Sequence, residues 1–288
     1  PIIGLTGTGG AGKSTVCDRL IQYFTIANPS KTIAIVSIDP SKRKTGGALL
    51  GDRIRMNAIN HSNVFMRSLA TRTDKSSISD SIDNVIALCK EEGFDAVIIE
   101  TAGVGQNDAS IVDHVTVPVY VMTPEFGAPT QLEKINMIDY AQIIAINKFD
   151  RTGGLDAIID VRKQFRRSHH SWNADAATMP IFGTIASNYN DPGIQAMYNC
   201  LVDIVNEQHA VAWKKLAWSF DYNPNKTPPS LLSTNRKNYL GELVEVIRKN
   251  NQWIAEQKSI ASKWYCFQEV LTDSSLSKEK KLLEACLE

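Results

Sequence analysis

The chain has 288 residues and a mass of 31.8 kDa, enough for one large α/β domain with a smaller appendage. Its 31 basic and 31 acidic side chains cancel, so charge gives no argument for a nucleic acid or an anionic membrane surface, and neither is expected as a partner. No run approaches the roughly 18 apolar residues of a membrane span. The five cysteines form no C-x-x-C pair, which reads as reduced thiols in a cytoplasmic protein.

The chain opens directly in a strand-like run, Pro1 to Thr6, as a domain taken out of a longer polypeptide would. Gly7-Thr8-Gly9-Gly10-Ala11-Gly12-Lys13-Ser14 follows and fits G-x-x-x-x-G-K-[ST]. Thr15 to Phe24 then carries Val16, Leu20, Ile21 and Phe24 at helical spacing, so strand, glycine loop and helix succeed one another as a phosphate-binding loop requires. Glycines let successive N–H groups turn inward as an anion nest that the helix N-terminus reinforces. Gly9, Gly10, Ala11, Gly12, Lys13, Ser14 and Thr15 are therefore the candidate phosphate-binding residues. Lys13 would reach the β- and γ-phosphates and Ser14 would offer a hydroxyl to Mg²⁺. The loop alone does not choose between ATPase, GTPase and small-molecule kinase.

Strand-like and helix-like segments alternate through the first two-thirds. Strands are expected at Thr32–Ile38, Val64–Ser68, Ala96–Glu100, Val117–Met122, Gln142–Asn147 and around Pro180–Gly183. Helices are expected at Ser77–Glu91, Thr130–Tyr140, Gly154–Arg167 and Gly193–Glu207. The expected fold is α/β: a P-loop NTPase with a mostly parallel sheet, helices on both faces, and a C-terminal helical extension. The proline-rich segment Ser219–Ser230 reads as a linker or ordered loop. Beyond it Leu240, Leu243, Val244, Ile247 and Ile254 form a helical stripe, Trp264, Tyr265 and Phe267 continue it, and Ser277–Leu287 reads as a last amphipathic helix. The domain division drawn from this is 1–212 for the nucleotide domain and 213–288 for the extension. The extension is too small for a strong core of its own, so it packs either on the nucleotide domain or on something outside this chain.

Strand carboxyl ends are where such sheets bind ligands. Asn147-Lys148-Phe149-Asp150 fits N-K-x-D: Asp150 can accept both N1–H and the exocyclic amino group of guanine, a donor pair adenine lacks, with Asn147 on the opposite edge and Lys148 over the ring. Ala96–Gly103 delivers Glu100 and, three residues on, Gly103, the D-x-x-G arrangement of GTPases with Glu for Asp. Glu100 would hold Mg²⁺ through water and the Gly103 N–H would sense the γ-phosphate. Val104 stands where a Ras-like enzyme carries its water-orienting glutamine, so hydrolysis is expected to be slow, with Gln106 nearby. Asp39, before Pro40, and Asp52, in the glycine-hinged basic loop 44–56, are further carboxylates. With Ser14 they make the candidate magnesium set Ser14, Asp39, Asp52 and Glu100, and Lys13, Ser14 and Glu100 are the candidate catalytic residues.

Taken together, T-G-x-x-G-x-G-K-S, S-I-D-P-S, G-G-A-L-L-G-D-R-I-R-M, E-T-x-G-V-G-Q and N-K-x-D resemble the MeaB/ArgK/MMAA group of metallochaperone GTPases. Phe65–Arg72, Val121–Ala128 and Asn147–Arg151 narrow the resemblance to the members fused to isobutyryl-CoA mutase. The resemblance implies Mg²⁺-dependent hydrolysis of GTP to GDP that gates cofactor loading or protection of an adenosylcobalamin-dependent acyl-CoA mutase. The mutase and its cobalamin-binding domain would lie in the same polypeptide or act in trans, and a homodimer is expected. By position, Lys42–Met56 matches switch I, Thr101–Ser110 switch II, and Pro124–Lys134 a third switch. The D-x-H-x-x-G cobalamin motif is not in this sequence, so adenosylcobalamin enters only through the associated mutase domains. A P-loop metabolite kinase and a GTP-binding module without significant hydrolysis are the competing readings.

Overall fold

A computed structural model describes residues 1–40, 55–71, 81–101, 103, 109–172, 175, 178–218, 220–225 and 239–272. Asp52, Val104, Gln106, most of the segment 42–56 and the expected helix 277–287 lie outside these residues.

Among the described residues, seven strands, β1 (Ile2–Gly7), β2 (Ile33–Pro40), β3 (Val64–Thr71), β4 (Ala96–Glu100), β5 (Val117–Met122), β6 (Ile143–Asn147) and β7 (Ile181–Thr184), form one sheet in the order β3-β2-β4-β1-β5-β6-β7. Every pairing is parallel, so both faces must be covered. Side-chain alternation sorts the core accordingly. Ile3, Leu5, Ile33, Ile35 and Ile98 pack under α1 (Lys13–Ala27) and α5 (Pro192–His209). Ile2, Ala34, Val36 and Ile99 face α2 (Ile82–Glu91) and α4 (Gly154–Ser168). Consecutive strands β1 and β2 lie apart, with β4 between them, while β5 to β7 run to the other side. That reversal places a crevice at the carboxyl end of the central strand β1.

The expected helix Thr130–Tyr140 is replaced by a single turn α3 (Pro129–Leu132) and a 3-10 turn Asn136–Asp139. Ile135, at φ −99° and ψ 90°, breaks it. The break lets Leu132, Ile135, Met137 and Ile138 all be buried, which one amphipathic stripe cannot do for adjacent residues; tertiary burial overrides propensity here. At the end of α4, His169 stacks on Phe165 at 3.9 Å between centroids, with Nε2 3.1 Å from the Ile138 carbonyl oxygen. It docks the end of α4 on that same segment.

The chain divides into two compact units, Pro1–Pro228 and Pro229–Glu288. In the first, residues after α5 return along it: Trp213 and Leu216 are buried in the core, and Asn206 both donates to the Trp213 carbonyl and accepts from its N–H. In the second, α6 (Tyr239–Thr272) is 34 residues long and none of its described side chains is buried. No helix among the described residues is long and apolar enough to cross a membrane.

Candidate functional site

β1 ends at Gly7 and α1 begins at Lys13. Between them Gly12 sits at φ +87° and caps α1 with no side chain, and the first turn of α1 carries no acidic residue. The leading N–H groups and the positive end of the helix dipole are thus offered to an anion rather than satisfied internally. Lys13 is buried, its Nζ donating to the carbonyl oxygens of Gly7 (3.1 Å) and Thr8 (3.2 Å). A β-carbon on Gly103 would lie 2.8 Å from Gly9 Cα and 3.2 Å from Lys13 Nζ. Gly103 therefore stands directly against the phosphate loop, a separation no other residue tolerates.

The register places the carboxylates. Glu100 pairs with both Leu5 and Ser37, so it projects from the same sheet face as Leu5, the face α1 covers. Asp39, two residues beyond Ser37, shares that face one pleat further out. Both are 2% exposed. Ser14 Oγ, in the first turn of α1, donates to Glu100 Oε1 at 2.6 Å. Hydroxyl and carboxylate oxygens gathered at the end of two strands are the donor set a hard divalent cation takes, so Ser14, Asp39 and Glu100 fit magnesium. Thr101 closes the floor behind them by donating to Thr6 Oγ1 at 2.9 Å.

The N-K-x-D segment reaches the same crevice from β6. Asn147, 3% exposed, donates through Nδ2 to the Ala11 carbonyl (2.8 Å), while its Oδ1 accepts from the Ala186 N–H (3.0 Å) and Thr184 Oγ1 (3.3 Å). Its carboxamide thus ties the phosphate loop, β6 and β7 together, with both acceptor positions of Oδ1 used. Lys148, at φ +58°, turns back so that Nζ donates to the Gly10 carbonyl at 2.8 Å. Asp150 remains exposed. A cleft of about 250 Å³ opens among Gly12 and Thr15, the loop residues Asn147, Lys148, Asp150 and Arg151, and Ile185–Ser187 after β7.

That last group was not singled out from the sequence. Ile185–Ser187 lines the cleft just past a strand end, and its only signal was its place after the final strand. Asp191, also missed, secures it. Its carboxylate caps α5 by accepting from the Ile194 N–H at 3.0 Å, and the N–H groups of Ile185 and Gly193 lie nearby. Burial pushes this carboxyl up from its ordinary value, these backbone N–H groups pull against the shift, and the nearby Asp150 charge adds to it.

A central phosphate loop on a parallel sheet, joined by Asn147 and Lys148 to a cleft carrying Asp150, defines the class as a P-loop GTPase domain. The model of the family described as "Methylmalonyl Co-A mutase-associated GTPase MeaB" matches residues 1–212, and the chain belongs to that family. It is 48% identical over 266 residues to a fused isobutyryl-CoA mutase of Geobacillus kaustophilus, covering 92% of this chain and 24% of that protein. It is 48% identical over 262 residues to one of Cupriavidus metallidurans, covering 91% and 24%. With one of Nocardia farcinica it shares 44% identity over 264 residues, covering 91% and 25%. The chain thus spans about a quarter of the length of these relatives.

Proposed function

We propose that this domain hydrolyses GTP to GDP and phosphate in a Mg²⁺-dependent reaction. The observation that carries the reading is the physical junction of two half-sites: Asn147 Nδ2 on the Ala11 carbonyl and Lys148 Nζ on the Gly10 carbonyl hold the base-reading loop against the phosphate loop. A single nucleotide can therefore span both.

Asp150 would accept the paired N1–H and amino donors of guanine. The N–H groups of residues 9–15 and the N-terminus of α1 would hold the phosphates, and Lys13 would exchange its carbonyl partners Gly7 and Thr8 for phosphate oxygens. Ser14, Asp39 and Glu100 would hold magnesium, which supplies charge neutralisation on the β- and γ-phosphate oxygens. Asp52 belongs to the same proposed set. Water attacks the γ-phosphorus in line as the bond to the β-phosphate oxygen breaks. The valine at position 104 would leave that water poorly oriented, and slow turnover follows.

The relatives that match over nine-tenths of this chain are named fused isobutyryl-CoA mutases. This supports a domain working as a G-protein chaperone within, or beside, an adenosylcobalamin-dependent mutase in the cytoplasm, its hydrolysis gating cofactor loading. The apolar residues of α6, among them Leu240, Val244, Ile247 and Ile254, would pack against other parts of that assembly. Phosphate release from GTP, measured against a no-enzyme control, tests the enzymatic reading. Lys13→Ala and Ser14→Ala are expected to abolish it, and near-normal rates in both variants would sink the assignment.

A further inference from the structure

The cleft contains a cation beside its base-reading carboxylate. Arg151 follows Asp150 in sequence, and both line the cleft. A guanidinium is the best-matched partner a carboxylate can find, planar and able to donate to both oxygens at once. Those two oxygens are the ones the guanine reading requires for N1–H and the amino group. A neutral base competes poorly with a charged fork on the adjacent residue, so the site needs Arg151 held elsewhere.

The structure holds it elsewhere. Arg151 Nη1 donates to Glu125 Oε1 at 2.5 Å. Glu125 does not wander: it sits in the 3-10 turn Pro124–Phe126 that follows β5, closed by Phe126 N–H to the Thr123 carbonyl (3.0 Å) and Gly127 N–H to the Pro124 carbonyl (2.9 Å). Behind it, a β-carbon on Gly127 would lie 2.4 Å from Ala157 Cβ of α4, so the turn is seated on the helix that starts just after the base-reading loop. A hydrogen bond from the Thr123 side chain, then the Arg151 guanidinium, hold the Glu125 carboxyl down at about 2, so it is ionised at neutral pH. Both partners are half-exposed, at 50% and 49%, and an ion pair that exposed adds little to stability. Its position explains it better than its energy.

We propose that Glu125 is a positioning residue for base recognition: by anchoring Arg151 it keeps that guanidinium off Asp150 and leaves both Asp150 oxygens to the guanine. This rests on the reading of the cleft as a guanine site, and the two can fail separately. The full chain and its Glu125→Ala, Glu125→Ala/Arg151→Ala and Asp150→Ala variants are titrated with GDP, IDP and ADP. IDP lacks the exocyclic amino group and so makes one fewer bond to Asp150. Melting temperatures verify that each variant is folded.

In Glu125→Ala the freed Arg151 turns to Asp150. GDP binding weakens by about tenfold, the scale of one hydrogen bond to a charged group, IDP binding weakens less, and the GDP-over-IDP preference falls. Removing Arg151 as well restores that preference, which a merely structural role for Glu125 would not do. An unchanged preference in Glu125→Ala, or no restoration in the double variant, overturns the proposal. If Asp150→Ala leaves the preference for GDP over ADP intact, the guanine reading itself falls and takes the proposal with it.

Discussion

Ser14 Oγ donates to Glu100 Oε1 at 2.6 Å, tying the first turn of α1 to the last residue of β4. The bond orients the hydroxyl that would enter the magnesium shell, as outer partners do at metal sites. Glu100→Gln keeps the volume and removes the charge. It is expected to raise the Mg²⁺ concentration that half-saturates GTP binding by about 10- to 100-fold, read from the fluorescence of a labelled GTP analogue. Binding with the metal chelated should be weak in both proteins and differ little. An unmoved Mg²⁺ midpoint would make Glu100 a structural carboxylate only.

Asn147 is the residue on which the two half-sites depend. Asn147→Ala deletes one donor and a doubly used acceptor, leaving the Ala11 carbonyl and the Ala186 N–H without their side-chain partner. Each buried group stripped of its partner costs about 1–3 kcal/mol, so the unfolding midpoint in urea should fall clearly. Nucleotide affinity should fall too, for adenine as well as guanine nucleotides, because the lost element is the joint and not the reader. Loss of guanine preference with intact stability would instead place Asn147 on the base.

Asp191 gives the site a pH signature. Asp191→Ala removes the cap of α5, worth about 1 kcal/mol within a range of 0.5–2. The folded carboxyl is raised above its unfolded value, so its contribution is fully present below the unfolded value near 3.8 and declines as pH rises through the folded one. The stability gap between the native chain and Asp191→Ala should therefore be widest near pH 4 and narrow towards neutrality. A gap that widens with pH would reverse the sign of the shift. Chemical denaturation at several pH values measures it.

The parts of this molecule that were legible in sequence are those whose chemistry is local. The strands Ala96–Glu100 and Val117–Met122 are observed at the expected boundaries, because runs of Val and Ile buried on both faces leave little choice of conformation. Gly7–Ser14 and Asn147–Asp150 announced themselves by spacing, and the structure brings both to one crevice. What was not legible is what depends on partners distant in the chain. Ile185–Ser187 lines the cleft through ordinary residues past a strand end, and Asp191 matters because Ile185 lies beside it. The break at Ile135 follows from four apolar residues finding separate places in the core, which no periodicity in 130–140 records. Glu125 falls within the segment 124–134 that the family resemblance singles out, but its bond to Arg151 appears only in the structure.

The chain segment after α5 also acquires a role from distant contacts. Tyr222 Oη accepts from the Gly183 N–H at 2.6 Å, and its ring lies 5.6 Å from that of Phe182. β7 is an edge strand, so this N–H would otherwise face outward from the sheet. Burial pushes the Tyr222 hydroxyl up to about 12, so it remains a neutral phenol at working pH. Gly183 is hemmed in on the other side, where a β-carbon would lie 2.6 Å from the ring of Phe149 in the base-reading loop. Tyr222→Phe keeps the ring contact and deletes only the acceptor, so it should cost about 1–3 kcal/mol by urea denaturation. Tyr222→Ala, which also loses the ring, should cost more. Because Gly183 immediately precedes Thr184–Ser187, the amide of Gly183 should exchange with deuterium faster in Tyr222→Phe, with Ala186 following it. Unchanged exchange at both amides would show that the strap covers β7 without bracing the cleft.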